Sequence, residues 1–182
     1  MTNGAKNAGT THLILGGARS GKSAFAEKLA QESGLKVTYI ATAQVYDDEF
    51  KQRIEHHKAR RPAHWQIIEA PFNLANTLNT YANPQTFIIV DCLTLWLAQS
   101  ICPDCAPTEG VDWLKERSAL LTTLPNLAGQ IVFVSNEVGM GIVPLGEINR
   151  QFQDEQGRLN QAVASLCDHV TFVTAGLPLK LK

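Results

Sequence analysis

Eight consecutive residues near the amino terminus combine small, cationic and hydroxyl side chains at the spacing that phosphate binding requires. Their sequence, GGARSGKS, fits the pattern G-x-x-x-x-G-K-[ST]. The backbone N–H groups of such a loop close around phosphate oxygens, and the following helix contributes a partial positive charge at its N-terminus. Lys22 supplies a point charge for the outer phosphates, and the Ser23 hydroxyl can ligate Mg²⁺. The predicted nucleotide-binding loop comprises Gly16, Gly17, Ala18, Arg19, Ser20, Gly21, Lys22 and Ser23.

The sequence on either side of the loop favours this interpretation over a glycine-rich turn that binds nothing. The apolar run His12–Leu15 precedes the loop and predicts a buried strand. After the loop, apolar residues recur at helical spacing among good helix formers, at Ala24, Phe25, Leu29 and Ala30. Phosphate binding by backbone N–H groups requires a strand, a glycine-rich loop and a helix in this order.

Further apolar runs of strand length alternate with segments of helical periodicity, two of which lie at about 114–124 and 148–166. The strand-like runs are Lys36–Thr42, Phe87–Asp91, Ile131–Ser135 and Val170–Thr174. They are almost continuously apolar, which is typical of strands that are covered on both faces. The pattern predicts an α/β fold with a mostly parallel central sheet and helices on both faces. We expect a flexible tail over residues 1–10 and a single catalytic domain over residues 11–182.

The composition limits the classes of partner. The chain has 182 residues, a formal net charge of −1 and 45% hydrophobic residues, as in an ordinary globular protein. Because the charge is near zero, we expect no nucleic acid partner. No apolar run reaches membrane-spanning length and no signal-peptide pattern is present, so we expect a cytoplasmic protein without membrane insertion. Cys102 and Cys105 have C-x-x-C spacing, but they lie in a proline-rich connection without further metal ligands at suitable spacing.

Polar residues follow the predicted strands, where ligands of such sheets gather. Thr42 and Gln44 follow the second strand, and Asp91 and Thr94 follow the third. Asp91 ends an apolar strand, which is the usual setting of the acidic residue that holds Mg²⁺, although an aspartate there can also cap the next helix. The segment Asn136–Gly141 follows the fourth strand, and its glycines suit either a loop close to a ligand or an ordinary connection.

The segment Asp47–Arg61 has the charge distribution of a helix, with acidic residues first and basic residues last. On a helix His57 shares an apolar stripe with Phe50, whereas His56 lies on another face among cationic side chains. Those charges would keep the His56 imidazole neutral, and a neutral imidazole beside arginines is a plausible nucleophile towards a nucleotide phosphate. The spacing alone nevertheless favours a solvated helix face with an incidental histidine.

Taken together, these motifs resemble the bifunctional adenosylcobinamide kinase/adenosylcobinamide-phosphate guanylyltransferase family of cobalamin biosynthesis. The resemblance extends from about His12 to Lys182. The matching blocks, in order, are Gly16–Ser23, Tyr39–Gln44 followed by Asp47–Glu49, Arg53–Lys58, Arg60–Trp65, Asn136–Pro144 and Gly157–Gln161. The phosphate loop by itself is weak evidence, but these blocks in this order are specific.

The resemblance implies a P-loop NTPase fold of the RecA-like type and two reactions. ATP or GTP phosphorylates adenosylcobinamide, and GTP then donates GMP to adenosylcobinamide phosphate, giving adenosylcobinamide-GDP and pyrophosphate. The guanylylated histidine of the family falls on His56, which makes His56 and Lys22 the implied catalytic residues. Mg²⁺ is implied on Ser23 and Asp91, and the chain is implied to form a homo-oligomer. Implied or candidate nucleotide contacts outside the loop are Thr42, Gln44, Arg61, Glu69 and Thr94.

Two other classes of protein share some of these features. A P-loop small-molecule kinase with a single reaction needs the phosphate loop but no nucleophilic histidine. A P-loop switch or assembly ATPase binds a macromolecular partner, for which the sequence shows no basic or exposed apolar surface. The general base of the kinase step stays open, with Glu137 as one candidate.

Overall fold

The computed structural model describes residues 9–44, 62–102 and 110–182, and within these ranges seven strands form one sheet. The strands are β1 (Thr10–Gly16), β2 (Lys36–Ala41), β3 (Gln66–Glu69), β4 (Thr86–Asp91), β5 (Gln130–Asn136), β6 (His169–Thr174) and β7 (Leu177–Lys180). They are arranged in the order β3-β2-β4-β5-β1-β6-β7. Strands β1 to β6 pair in parallel, and β7 pairs antiparallel to β6. The prediction of a mostly parallel central sheet is confirmed.

Helices cover both faces of this sheet, as predicted. The helices of the described residues are α1 (Lys22–Ser33), α2 (Leu74–Tyr81), α3 (Leu93–Ile101), α4 (Trp113–Thr123) and α5 (Glu147–Leu166), with a 3-10 turn at Leu124–Asn126. Helix α1 packs on one face, and helices α2 to α5 contribute to the core on the other. None of these helices is both long and apolar enough to cross a membrane.

Strand β4 shows why the sequence pattern is continuously apolar. Phe87 and Ile89 point to the core beneath α1, whereas Ile88 and Val90 point to the core beneath the other helices. These four side chains are at most 3% exposed. Since both faces of the strand are buried, no position is left for a polar residue until the strand ends at Asp91.

The structure contains two strands that the sequence analysis does not predict. Strands β3 and β7 lie at the two edges of the sheet, and their side chains are mostly exposed. An exposed edge strand needs no apolar run, so its sequence carries little signal. The other differences concern element ends: β1 begins at Thr10, inside the expected tail, and α3 continues to Ile101, directly before the proline-rich connection that begins at Cys102. Cys102 follows α3 and is disulfide-bonded.

A histidine pair on β1 and β6 makes stability depend on pH. The His12 ring packs edge-on against His169, with 5.6 Å between ring centroids, and its Nε2 lies 2.8 Å from the Thr171 hydroxyl. Burial, and secondarily the charge of His169, lower the pKa of His12 from 6.5 to about 4. Between about pH 6.5 and about pH 4 we therefore expect the unfolded chain to bind a proton at His12 that the folded chain does not bind.

We expect the free energy of unfolding to fall as the pH is lowered from about 6.5 towards about 4, and His12→Phe to flatten this dependence. Urea denaturation at pH 7 and at several values down to pH 4.5 measures it. Asp168 does not interfere, because hydrogen bonds from Thr11 lower its pKa from 3.8 and its protonation affects stability only at lower pH. An equally steep pH dependence in the variant would contradict this assignment.

Candidate active site

The predicted phosphate loop connects β1 to α1, which begins at Lys22. A side chain on Gly16 is excluded, because its Cβ would lie 2.2 Å from the Val173 carbonyl oxygen. Gly21 precedes the helix with a φ of 102°, a conformation that favours glycine. The Gly176 N–H, in the turn between β6 and β7, donates to the Ser20 carbonyl oxygen at 2.9 Å. This hydrogen bond therefore joins the phosphate loop to a turn that is distant in the sequence.

Lys22 lies inside this loop and is only 6% exposed. Its Nζ donates to the Gly17 carbonyl oxygen at 2.6 Å, so the ammonium group bends back over the loop. Burial lowers the pKa of Lys22, and the nearby Asp91 carboxylate opposes this effect. The lysine is therefore placed where a bound phosphate can replace a backbone carbonyl as its partner.

Ser20 provides an independent indication of a ligand in the loop. Its hydroxyl oxygen is buried and has no hydrogen-bond partner among the described residues. Buried polar groups are normally hydrogen-bonded, so an unpartnered hydroxyl in a phosphate-loop motif fits a phosphate oxygen as the missing partner.

Asp91 ends β4 at the same edge of the sheet as the phosphate loop, because the two strands are parallel members of one sheet. Its Oδ2 accepts a hydrogen bond from the Tyr39 hydroxyl at 2.5 Å. The residue that caps α3 is Cys92, whose Sγ accepts from the Leu95 N–H at 3.4 Å. Asp91 therefore does not cap the helix, and the alternative interpretation of this aspartate is wrong.

The donor atoms at this edge suit Mg²⁺. A carboxylate and a hydroxyl, from Asp91 and Ser23, are the hard oxygen ligands that Mg²⁺ takes together with water and phosphate. The described residues contain no cluster of three or more His, Cys, Asp or Glu side chains that would build a complete protein-only site. The set therefore fits a cation that is held jointly by the protein and a nucleotide.

Thr42 is placed differently from the expected nucleotide contact. Its side chain has no exposed surface, and its hydroxyl donates to the Cys92 carbonyl oxygen at 2.7 Å and accepts from the Cys92 N–H at 2.8 Å. Its own N–H donates to the Asp91 carbonyl oxygen at 3.3 Å. The polar groups of Thr42 are thus bonded to the backbone of Asp91 and Cys92 and to Gln99, and its role as a nucleotide contact stays a prediction.

Thr94 similarly joins two elements at the end of β5. Thr94 is 6% exposed, and its hydroxyl accepts a hydrogen bond from the Asn136 N–H at 2.7 Å. The Glu137 N–H donates to the Gly16 carbonyl oxygen at 3.0 Å, and its carboxylate accepts from the Gly139 N–H at 2.6 Å. The segment that follows β5 therefore contacts the first residue of the phosphate loop, which supports its interpretation as a loop close to a ligand.

A buried polar network under this segment has no counterpart in the sequence analysis. Gln156 donates to the Ser135 hydroxyl at 2.9 Å, and Asn160 accepts from the same hydroxyl at 2.7 Å. Asn160 also donates to the Asn136 carbonyl oxygen at 3.0 Å. Helix α5 thus holds the end of β5 through amide groups. Two sequence signals point to it: Gln156 and Asn160 lie four residues apart on one helix face, and Asn160 belongs to the family block Gly157–Gln161.

The remaining predicted site residues are partly described. Gln44 is half-buried, and its N–H donates to Gln99 Oε1 at 2.6 Å. Glu69 is exposed at the end of β3, next to the end of β2. His56 and Arg61 lie outside the described residues, as does the whole segment Asp47–Arg61. The structure therefore brings the phosphate loop, Asp91, Thr94 and Gln44 to one edge of the sheet.

The phosphate loop lies between the first strand and the first helix of a mostly parallel sheet, and an acidic residue ends a strand beside the lysine of the loop. These features define a P-loop nucleoside-triphosphate enzyme. Within that class, the chain belongs to the cobinamide kinase / cobinamide phosphate guanyltransferase family, whose model matches residues 12–181. The predicted family, with its kinase and guanylyltransferase activities in cobalamin biosynthesis, is confirmed.

Curated relatives agree with this membership. The chain is 55% identical over 171 residues to the bifunctional adenosylcobalamin biosynthesis protein CobP of Pseudomonas aeruginosa, covering 93% of this chain and 96% of the relative. It is 36% identical over 179 residues to the bifunctional adenosylcobalamin biosynthesis protein CobU of Escherichia coli, covering 93% and 98%.

Solved structures support the fold. The flagellar accessory protein FlaH from Methanocaldococcus jannaschii superposes with a TM-score of 0.52 at 18% identity, covering 96% of this chain and 79% of that one. An ATPase from the type III secretion system of pathogenic bacteria superposes with a TM-score of 0.55 at 12% identity, covering 95% and 57%. The predicted P-loop NTPase fold is confirmed.

Proposed function

We propose that one nucleotide site at the carboxyl edge of the sheet serves both reactions of the family. In the first reaction the γ-phosphoryl group of ATP or GTP is transferred to adenosylcobinamide, and in the second GMP is transferred from GTP to adenosylcobinamide phosphate. The observation that carries this proposal is the buried Lys22 in an intact phosphate loop beside Asp91. Family membership supplies the identity of the acceptor.

For the second reaction we assign the nucleophile to His56. A neutral imidazole nitrogen attacks the α-phosphorus of GTP, a nitrogen–phosphorus bond forms, and the bond to pyrophosphate breaks. A phosphate oxygen of adenosylcobinamide phosphate then attacks the same phosphorus and releases the imidazole. Covalent catalysis of this kind divides one difficult transfer into two easier steps.

For the first reaction the acceptor hydroxyl must lose a proton while it attacks the γ-phosphorus. Glu137 is the best candidate for the base, because its backbone is bonded to Gly16 at the start of the phosphate loop. One carboxylate oxygen accepts from the Gly139 N–H, which orients the group, and the second oxygen has no hydrogen bond among the described residues and would accept the proton. Lys22 stabilises the charge that develops on the transferred group.

Other residues bind and orient the nucleotide in this proposal. Ser23 and Asp91 would hold Mg²⁺, which supplies charge neutralisation on the polyphosphate when it is bound. Tyr39 keeps the Asp91 carboxylate in place through its hydroxyl. Gln44, Arg61 and Glu69 are the candidate contacts to the rest of the nucleotide. A cytoplasmic location stays a prediction.

The decisive test separates the α- and γ-phosphates of GTP. The protein is incubated with Mg²⁺ and either α-labelled or γ-labelled GTP, without a cobinamide acceptor. We expect an acid-labile, base-stable adduct that carries the α-label and lacks the γ-label, as a phosphoramidate does. A single-reaction kinase would give γ-transfer to adenosylcobinamide but no adduct, and that result would overturn the guanylyl step.

We also propose that the chain forms a homo-oligomer. The sequence shows no exposed apolar surface, but the structure does, because four apolar side chains that follow β5 are between 67% and 98% exposed: Met140, Ile142, Val143 and Leu145. Monomeric proteins seldom expose such a continuous apolar segment, so a second copy is its expected partner. Sedimentation velocity should show an oligomer for the wild type and a smaller species for Leu145→Lys. A monomeric wild-type protein would refute the proposal.

A further inference from the structure

A buried glutamine of α3 that no motif includes joins the backbone that follows β2 to the backbone that follows β3. Gln99 is 2% exposed, and both ends of its amide are used. Its Oε1 accepts from the Gln44 N–H at 2.6 Å, and its Nε2 donates to the Thr42 carbonyl oxygen at 2.7 Å and to the Pro71 carbonyl oxygen at 3.3 Å. The glutamine therefore binds the start of the connection between β2 and β3 and also the backbone just after β3.

A second set of contacts links this point to the metal-binding candidate. The Thr42 hydroxyl bonds to both backbone groups of Cys92, which is the residue after Asp91. We call Thr42 and Gln99 together the strand-end clamp. The two side chains of the clamp bind different segments. The Thr42 hydroxyl bonds to the backbone that follows β4, whereas the Gln99 amide bonds to the backbone that follows β2.

We propose that Gln99 is a positioning residue for guanylyl transfer, which it serves by fixing the backbone at Thr42 and Gln44. This inference rests on the proposed function, in which His56 is the nucleophile. His56 belongs to the chain segment that connects Gln44 to β3, so the bonds of Gln99 set where this segment starts. Covalent attack is sensitive to such placement, since an error of about 1 Å in a reacting group costs roughly 10²-fold in rate.

The kinase step depends less on this clamp. The phosphate loop is held by contacts that do not involve Gln99: Gly176 binds Ser20, and Glu137 binds Gly16. The Asp91 carboxylate is held by the Tyr39 hydroxyl, and the Thr42 hydroxyl bonds to Cys92, the residue after Asp91, without contact to Gln99. Removing the Gln99 amide should therefore separate the two activities.

The test uses two variants at this position and one matched control. Gln99→Met has a similar length but no polar group, and Gln99→Glu keeps the shape. Ser100→Ala is the control, because Ser100 is the next residue of α3, is 6% exposed, and its hydroxyl donates to the Trp96 carbonyl oxygen of its own helix. Urea denaturation first confirms that each variant is folded at the assay temperature.

We expect Gln99→Met to lower the rate of guanylyl adduct formation at saturating GTP by about 10-fold or more. The kcat for phosphorylation of adenosylcobinamide should stay within about 2-fold of the wild-type value in the same preparation. Ser100→Ala should change neither activity. Equal losses in both activities of Gln99→Met, or no loss at all, would overturn the inference.

The Gln99→Glu variant adds a readout that a general loss of stability would not produce. When its new carboxyl group is protonated, it keeps an acceptor for the Gln44 N–H and a donor for the Thr42 carbonyl oxygen, whereas the ionised form loses the donor. Guanylylation by Gln99→Glu, relative to wild type, should therefore fall as the pH rises, while the ratio for Gln99→Met should stay flat. A flat ratio for both variants would contradict the clamp.

Hydrogen exchange tests the clamp without any assay of activity. Mass spectrometry of peptides that contain residues 42–44 should show faster exchange of the Gln44 amide in Gln99→Met, and unchanged exchange in Ser100→Ala. Unchanged exchange in Gln99→Met would overturn the inference. If the proposed function itself is wrong, the wild-type protein forms no guanylyl adduct. This result differs from those that would overturn the inference about Gln99.

Discussion

Replacing His56 with alanine is expected to abolish the α-labelled guanylyl adduct and to lower the transfer of GMP by at least about 10³-fold. The loss is large because no other group can take over a covalent step once its nucleophile is removed. Phosphorylation of adenosylcobinamide should persist, since γ-transfer does not pass through the imidazole. The measurement is a pair of assays on one preparation, with α-labelled and γ-labelled GTP.

His57→Ala is the matched control for this prediction. It removes the same kind of side chain from the neighbouring position, which the helical spacing assigns to an apolar stripe with Phe50. The adduct should remain in His57→Ala and be absent from His56→Ala. An adduct that survives in His56→Ala but disappears in His57→Ala would move the nucleophile by one residue, and one that survives in both would exclude this histidine pair.

Replacing Lys22 with methionine is expected to lower both reactions by about 10²–10³-fold. Methionine keeps much of the buried aliphatic stem but removes the ammonium group, which in the structure bonds to the Gly17 carbonyl oxygen. In both reactions this group would exchange the carbonyl for phosphate oxygens and stabilise the charge that develops on them. The rates of both transfers are measured at saturating nucleotide, so that weaker binding does not account for the loss.

Lys28→Met is the control for the lysine prediction. Lys28 lies on the same helix, but its side chain is 67% exposed and pairs with Glu32 at 3.8 Å, an interaction that contributes little. This variant should retain both activities. If Lys22→Met kept either reaction near the wild-type rate, the proposal of one nucleotide site for both reactions would be wrong.

The fold could be predicted where a strand is buried on both faces, because such a strand is a continuous run of apolar residues in the sequence. The runs Phe87–Asp91 and Ile131–Ser135 are nearly all apolar, because β4 and β5 are covered on both faces. Strands β3 and β7 escaped prediction, because edge strands with exposed side chains need no apolar residues. The first and last residues of the elements also depend on partners across the sheet. Thr10, for example, joins β1 through pairing with Gln130.

Some features of the candidate site could likewise be predicted from the sequence, and others could not. The phosphate loop is local, since Lys22 and Ser23 act within a few residues of the glycines that they follow, and the parallel-sheet rule then places Asp91 at the same edge. The roles of Tyr39 and Gln99 are not local. Each depends on a hydrogen bond to a residue more than fifty positions away, at Asp91 and Gln44 respectively.

The sequence by itself therefore determined the class of chemistry: a contiguous loop for phosphates, an acidic strand end, and the family motifs that include His56. Only the tertiary structure decided which polar side chains at this edge of the sheet are already bonded to other parts of the protein. Thr42 shows the difference, because the sequence does not tell whether the hydroxyl of a threonine after a strand is bonded, and the structure shows it bonded to the Cys92 backbone. The physical reason is that a side-chain hydrogen bond depends on distance and direction in space, which residue spacing specifies only within a single helix, strand or turn.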